Sequence, residues 1–335
     1  MHSRHPARRL AVALTAAPLA LVLAACGAGA DAAEPAASAE PTTATTVTIE
    51  DNHGTVEVPV DPQRVVALDN RVFETLSAWD VPLVAAPKGV MGSGIWPVYT
   101  ENEDVLDVGT HREPNLESIV AAEPDLIIGG YRFGNHYDDI VAQNPDATVI
   151  EIAPREGEEI ADELIRQVEI LGQIFDREDE AAQIVADFEA AVADAAEAYD
   201  GTSTVVGLIT SGGDISYAAP VTGRSIGTVF PTLGLVPAID QASEDTTHGD
   251  DIGVEAIAAA NPDWILVLDR DGSGVGEGDY RPATELIGAS EALASVTAVM
   301  KDQIVYLDPN FYVTEDIQAY TALYEQIAQA FSAAA

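Results

Sequence analysis

Three arginines stand where apolar runs give way to loops. Arg132 closes the run Asp125-Leu126-Ile127-Ile128-Gly129-Gly130-Tyr131, and Arg270 closes Asp263-Trp264-Ile265-Leu266-Val267-Leu268-Asp269. Arg224 lies in Ala219-Pro220-Val221-Thr222-Gly223-Arg224-Ser225, between an apolar β-branched stretch and the helical run from Ile226 to Leu233. A guanidinium is permanently charged and donates hydrogen bonds in a planar fork, so three of them in one cleft would suit an anionic solute. The alternative is that each is paired with a nearby carboxylate, for instance Asp269 or Asp271 beside Arg270. The background sharpens the question, because the chain of 335 residues carries a formal charge of −41. Nucleic acid and anionic membrane surfaces are poor partners for such a chain. Lys88, Arg112 and Arg71 fall at comparable strand ends and are candidates for the mouth of the cleft, with solvated surface as the alternative.

These positions matter only if the elements around them form a sheet whose carboxyl edge carries the ligand. Arg64 to Leu68 reads as a strand, Val72 to Trp79 as a helix, Leu83 to Ala86 as a strand, Leu116 to Ala122 as a short helix, and Asp125 to Gly129 and Ala147 to Ile150 as strands. This alternation predicts a parallel α/β sheet. From about Glu158 to Ala198 the pattern is helical, with a break at Phe175-Asp176-Arg177. Its second part, from Glu178, would extend roughly 30 Å. A new alternation starts at Thr204. The expected fold is therefore two Rossmann-like α/β lobes joined by a long rigid helix, with the ligand cleft between them. The segments are 47–157 for the first lobe, 158–200 for the helical linker and 201–335 for the second lobe. A rigid helix also predicts a small lobe closure.

An internal repeat supports the two lobes. Glu117 to Arg132 aligns without gaps on Glu255 to Arg270, each copy a short helix, a Pro-Asp turn and a buried strand ending in arginine. Thr110-His111 and Thr247-His248 correspond as well, with one residue inserted. Glu117 and Glu255 take equivalent places early in their helices, where a carboxylate favours the helix N-terminus.

The chain starts with Arg4, Arg8 and Arg9 ahead of an Ala- and Leu-rich run that ends at Leu23-Ala24-Ala25-Cys26. A basic start and a short apolar run predict an export signal over 1–25. The ending is similar to a lipobox, which makes Cys26, the only cysteine, the candidate for lipidation. Residues 26–46, rich in Ala, Pro, Thr and Ser, predict a flexible tether.

Taken together, the folded part resembles the periplasmic binding proteins of the siderophore, haem and cobalamin type. The resemblance spans nearly all of it and is carried by Pro62 to Leu68, Glu74-Thr75-Leu76, Val108-Gly109-Thr110, Glu113 to Ile119, Glu123 to Ile128 and Asn261-Pro262-Asp263. Within that group it is most similar to ferric-catecholate binders, through Thr247-His248-Gly249, Leu268-Asp269-Arg270-Asp271, Val305 to Pro309 and Phe311-Tyr312. The resemblance implies a non-enzymatic receptor at the extracytoplasmic face of the cell membrane, handing a ferric siderophore to an ABC permease. It implies that Arg132, Arg224 and Arg270 hold the siderophore's charge. It also implies that His248 and Tyr312 complete the iron's coordination where the siderophore offers four oxygens, and that Glu117 and Glu255 dock on the permease. A deprotonated tyrosine suits ferric ion, a hard acid. No intrinsic cofactor is expected, since iron arrives with the cargo, and a monomer is expected.

Haem, cobalamin or a hydroxamate siderophore are the alternative cargoes. From other classes come a secreted hydrolase and a zinc or manganese receptor. Against the first, the chain has no His-Glu-x-x-His motif and no Gly-rich phosphate loop. Against the second, the histidines beyond the leader are scattered.

Overall fold

A computed structural model describes residues 45–242, 244–274 and 280–334. The export signal over 1–25 and the lipidation of Cys26 lie outside the described residues, as does the tether up to residue 44. Among the described residues no helix is long and apolar enough to cross a membrane.

Each lobe is a sheet buried on both faces. The first runs in the order Leu106–Asp107, Leu83–Ala86, Val65–Ala67, Leu126–Gly129, Thr148–Glu151, all parallel. The second runs Asp214–Ala218, Thr204–Ser211, Trp264–Asp269, Ile304–Tyr306, with Val236–Pro237 paired to the start of Thr204–Ser211. Strand alternation sorts the side chains. Val65, Ala67, Ile128, Val205, Ile209 and Leu268 enter one core shared by both lobes. Their neighbours Val66, Leu68 and Ile127 fill the outer face of the first lobe, and Val206, Leu208 and Val267 that of the second. Buried on both sides, these strands read as continuous apolar runs, as central strands of parallel sheets do.

The second sheet departs from the expected all-parallel arrangement at Asp214–Ala218, which is antiparallel to Thr204–Ser211. The two meet across Gly212 and Gly213, with φ of 62° and 89°. A two-residue hairpin with both centres at positive φ needs such residues, and it lets the edge strand fold straight back. A second hairpin, Thr46–Asp51 with Gly54–Pro59, opens the described part of the chain.

The repeat has a mechanical explanation. The Asp125 carboxylate accepts the backbone N–H groups of Gln63 at 2.8 Å and Arg64 at 2.9 Å. The Asp263 carboxylate accepts the N–H and hydroxyl of Thr204 at 2.9 and 3.0 Å. Each Pro-Asp turn thus clamps the start of the neighbouring strand, which fixes the parallel register of Val65 on Leu126 and Val205 on Trp264.

Helices Ile160–Phe175 and Glu178–Ala198 link the sheets, broken at Asp176, which is left-handed at φ 54°. At their junction a Cβ on Gly172 would lie 2.8 Å from the Ala181 Cβ, so only glycine permits this approach. The final helix, Ile317–Ala334, returns to lie along Glu178–Ala198, with Phe188 and Tyr324 in edge-to-face contact at 5.8 Å. The linker is therefore a helical pair backed by a third helix, stiffer than the single helix expected from the sequence.

Candidate ligand-binding site

Between the lobes lies a cleft of about 320 Å³, walled by His111, Arg112 and Arg132 on one side and by Arg224, His248, Arg270 and Tyr312 on the other. Backbone geometry puts the three arginines there. Gly130, at φ 103°, and Tyr131, at φ 49°, turn the chain off its strand so that Arg132 enters a 3-10 turn spanning Tyr131–His136. The N–H of Arg270 donates to the Thr210 carbonyl at 3.1 Å, continuing the ladder one residue past its strand. The loop carrying Arg224 folds onto the end of Asp214–Ala218. A Cβ on Gly223 would sit 2.6 Å from both N and O of Ala219, and the N–H of Arg224 donates to Thr246 at 2.9 Å. The change Gly223→Ala is expected to force that loop outward at a cost of about 1–3 kcal/mol, read as a lower urea midpoint.

Tyr312 is the meeting point. Its ring, 5 % exposed, has Arg224 at 4.0 Å from the centroid, Arg270 at 5.3 Å and Arg132 at 5.5 Å. Its carbonyl accepts Nη2 of both Arg132 and Arg224 at 3.3 Å. Burial pushes the hydroxyl's pKa up, but the charge of Arg224, a polar interaction with Arg270 and the charge of Arg132 outweigh it, so the phenol ionises below its usual range.

Behind this group sits a residue that the sequence did not announce. Glu315 is 1 % exposed and accepts Nε of Arg224 at 3.0 Å and a further charge-assisted bond from its Nη2. It also accepts the hydroxyls of Ser225 at 2.6 Å and Tyr131 at 2.7 Å. Burial opposes its charge, but Arg224 and Arg71 prevail and hold its pKa down to about 2. Tyr131 is sandwiched under Arg71, 3.7 Å from its ring centroid, and burial together with Glu315 raises its pKa to about 12, so it stays a neutral donor.

The alternative of local carboxylate pairing is thus realised in part. Arg224 is matched by Glu315, 91 residues away, and Arg270 lies 3.4 Å from Asp271. Asp269 instead holds the N–H groups of Gly272 and Ala283 and the hydroxyl of Tyr280. Even so, Nε of Arg71, Arg132 and Arg270 and Nδ1 of His111 are buried with no partner among the described residues. Each buried donor left this way costs about 1–3 kcal/mol, so their convergence marks a place that an acceptor-rich ligand would satisfy.

The other candidates divide. Arg112 is exposed at the rim of the cleft. Arg71 is not at the mouth but behind it, stacked on Tyr131. Lys88 is displaced from the cleft: its Nζ donates to the Asn102 carbonyl at 2.7 Å, and Gly89 and Val90 line the wall instead. The ring of His248 is 45 % exposed, with Nδ1 3.5 Å from Asp245 Oδ2. Glu117 and Glu255 are exposed at the second positions of helices Leu116–Ala121 and Val254–Ala260. Of the residues missed, His111 had a signal, since the repeat sets it against His248. Tyr131 and Glu315 had none, because their partners lie far away in sequence.

Residues 65–311 match the model of the periplasmic binding protein family. The chain belongs to that family. Among curated relatives, the petrobactin-binding protein YclQ of Bacillus subtilis is 28% identical over 267 residues, covering 77% of this chain and 78% of its own. The ferric-anguibactin-binding protein FatB of Vibrio anguillarum is 28% identical over 274 residues, covering 81% and 82%. The catecholate-siderophore binding protein VctP of Vibrio cholerae shares the fold, with a TM-score of 0.73 at 24% identity over 86% of this chain and all of its own, 100%. As a member of the periplasmic binding protein family, the chain is a solute-binding protein and not an enzyme.

Proposed function

We propose that this periplasmic binding protein is the lipid-anchored receptor of an ABC importer, and that it captures an anionic ferric siderophore of catecholate type at the extracytoplasmic face of the cell membrane. The observation that carries the reading is the convergence of Arg132, Arg224 and Arg270 on Tyr312, with donors on two of them still unsatisfied. The names of the relatives, petrobactin-binding and ferric-anguibactin-binding, support iron chelates as the cargo class. A phenol with a lowered pKa suits ferric ion, so Tyr312 completes the coordination of a chelate that leaves positions open, together with an imidazole of the cleft wall, for which the resemblance names His248. Iron arrives with the cargo and the protein holds no cofactor of its own. Cys26 carries the anchor, and Glu117 and Glu255, one exposed on each lobe, dock on the permease as a monomer presents them.

Tryptophan fluorescence tests the reading, by titration with ferric catecholate, ferric citrate and ferric hydroxamate complexes. The catecholate complex is expected to quench most tightly, and equal affinity for a neutral hydroxamate chelate would refute the charge argument. The substitution Tyr312→Phe is expected to shift the visible charge-transfer band of the bound complex. An unchanged band would mean that the siderophore alone supplies the oxygens.

A further inference from the structure

We propose that the cleft has a side chamber built around Arg71, and that this chamber receives a carboxylate arm carried by the cargo beyond its catecholate groups. The inference rests on the reading of the cargo as an anionic ferric chelate and goes on to name a second feature of its chemistry. The chamber, of about 250 Å³, is lined by Arg71, Tyr131, Arg224, Thr222, Thr246 and Thr247. Arg224 and Thr247 also wall the main cleft, so the two spaces adjoin across them. Arg71 is the uncommitted cation of the chamber. Its guanidinium makes no hydrogen bond and no ion pair among the described residues, and of its three nitrogens only Nε is buried.

The neighbouring acids are already answered by other donors. Glu315 takes Arg224, Ser225 and Tyr131. The buried Asp69 accepts the backbone N–H of Arg71 at 3.0 Å and the amide of Gln167 at 3.1 Å, and not the Arg71 guanidinium. Stacking on Tyr131, at 3.7 Å from the ring centroid, holds that guanidinium in place without using its in-plane donors. A fixed planar fork with free donors matches a carboxylate. The far side of the chamber shows where the acid comes from. Past Thr222 and Thr246 it opens between Glu156, Glu158 and Glu159, with Arg155 there tied to Glu163. That mouth repels a free anion, whereas the cleft side carries the arginines, so the acid enters as part of the chelate.

The test uses the full chain and two ferric catecholate complexes that differ in one pendant arm, a free carboxylate in the first and its primary amide in the second. Fluorescence titration of the wild-type chain is expected to favour the carboxylate complex by about tenfold or more, the size of one charge-assisted contact. In Arg71→Gln that preference is expected to fall to within about twofold. Arg71→Lys, which keeps the charge and loses the fork, should lie between the two, and it is read alone should Arg71→Gln lose its folded circular dichroism spectrum. A role confined to packing on Tyr131 would lower both affinities together and leave their ratio unchanged, which would overturn the inference. Equal affinity of the wild-type chain for the two complexes would overturn it as well and leave the cargo reading standing. Sodium acetate, added to the chain without a chelate, is the control for a free anion. A rise in melting temperature with acetate that Arg71→Gln abolishes, alongside equal affinity for the two complexes, would give the chamber to a free anion and not to an arm of the cargo. Failure of the wild-type chain to bind either complex would overturn both readings.

Discussion

Replacing Arg132 and Arg270 together by Gln is expected to weaken binding of an anionic ferric catecholate complex by about 100- to 10,000-fold. Hydrogen bonds to charged groups contribute about 1.5–3 kcal/mol each, and every 1.4 kcal/mol is about a factor of ten. These two arginines are the right pair because each keeps a buried Nε with no partner among the described residues, whereas Arg224 is already committed to Glu315. A neutral hydroxamate chelate should lose far less, since the term removed is electrostatic. Arg270 also faces Asp271 at 3.4 Å, so the triple variant with Asp271→Asn separates loss of the cation from exposure of a repelling carboxylate. Isothermal titration at two salt concentrations reads both quantities. Equal losses for the charged and neutral chelates would show that the double change had damaged the cleft and not its charge.

The second large effect falls on stability. The change Glu315→Ala removes the carboxylate that accepts Arg224, Ser225 and Tyr131 at once, leaving buried charge uncompensated. Breaking a buried pair from one side costs about 3–5 kcal/mol, and urea denaturation is expected to show a loss of that size. The pH dependence carries a sign. The Glu315 carboxyl, held down to about 2 from an ordinary 4.5, takes up its proton later in the folded chain than in the unfolded one. Its contribution is therefore full above about pH 4.5 and is lost as pH falls towards 2. Asp316 works in the opposite sense, because burial first and Glu74 second raise its pKa to about 7. The stability that it allows is present at low pH and is lost as pH rises through 7. In the wild-type chain the two slopes oppose each other, and Glu315→Ala should make the acid limb shallower while keeping the other, since Glu163 and Asp200, also held down to about 2, still contribute to the acid limb.

The fold was legible because its strands are buried on both faces. Runs such as Leu126 to Gly129 and Trp264 to Leu268 are apolar throughout, and Asp125 and Asp263 mark where each begins. The break at Asp176 could be read from the same kind of local chemistry. The antiparallel edge Asp214–Ala218 was legible only through Gly212-Gly213, a pair that alone does not say which strand the chain folds back upon. In the site, Arg132 and Arg270 followed from the strands that they close, and Arg224 from its loop. The partner of Arg224 did not follow, because Glu315 reaches it through the return of the chain from the second sheet to the final helix, and no spacing rule spans 91 residues. Lys88 went astray for a comparable reason, since its position at a strand end is right but the Asn102 carbonyl captures its amino group.

The paired helices Ile160–Phe175 and Glu178–Ala198, with Ile317–Ala334 laid along them and a single core running through both lobes, have a consequence for signalling. A molecule braced in this way is expected to change its outline little on loading. Any receiver that must tell a full carrier from an empty one has to read the contents at the opening itself, in the chelate's exposed edge and in the altered charge of the rim, much as a clerk checks a window envelope without unfolding the letter.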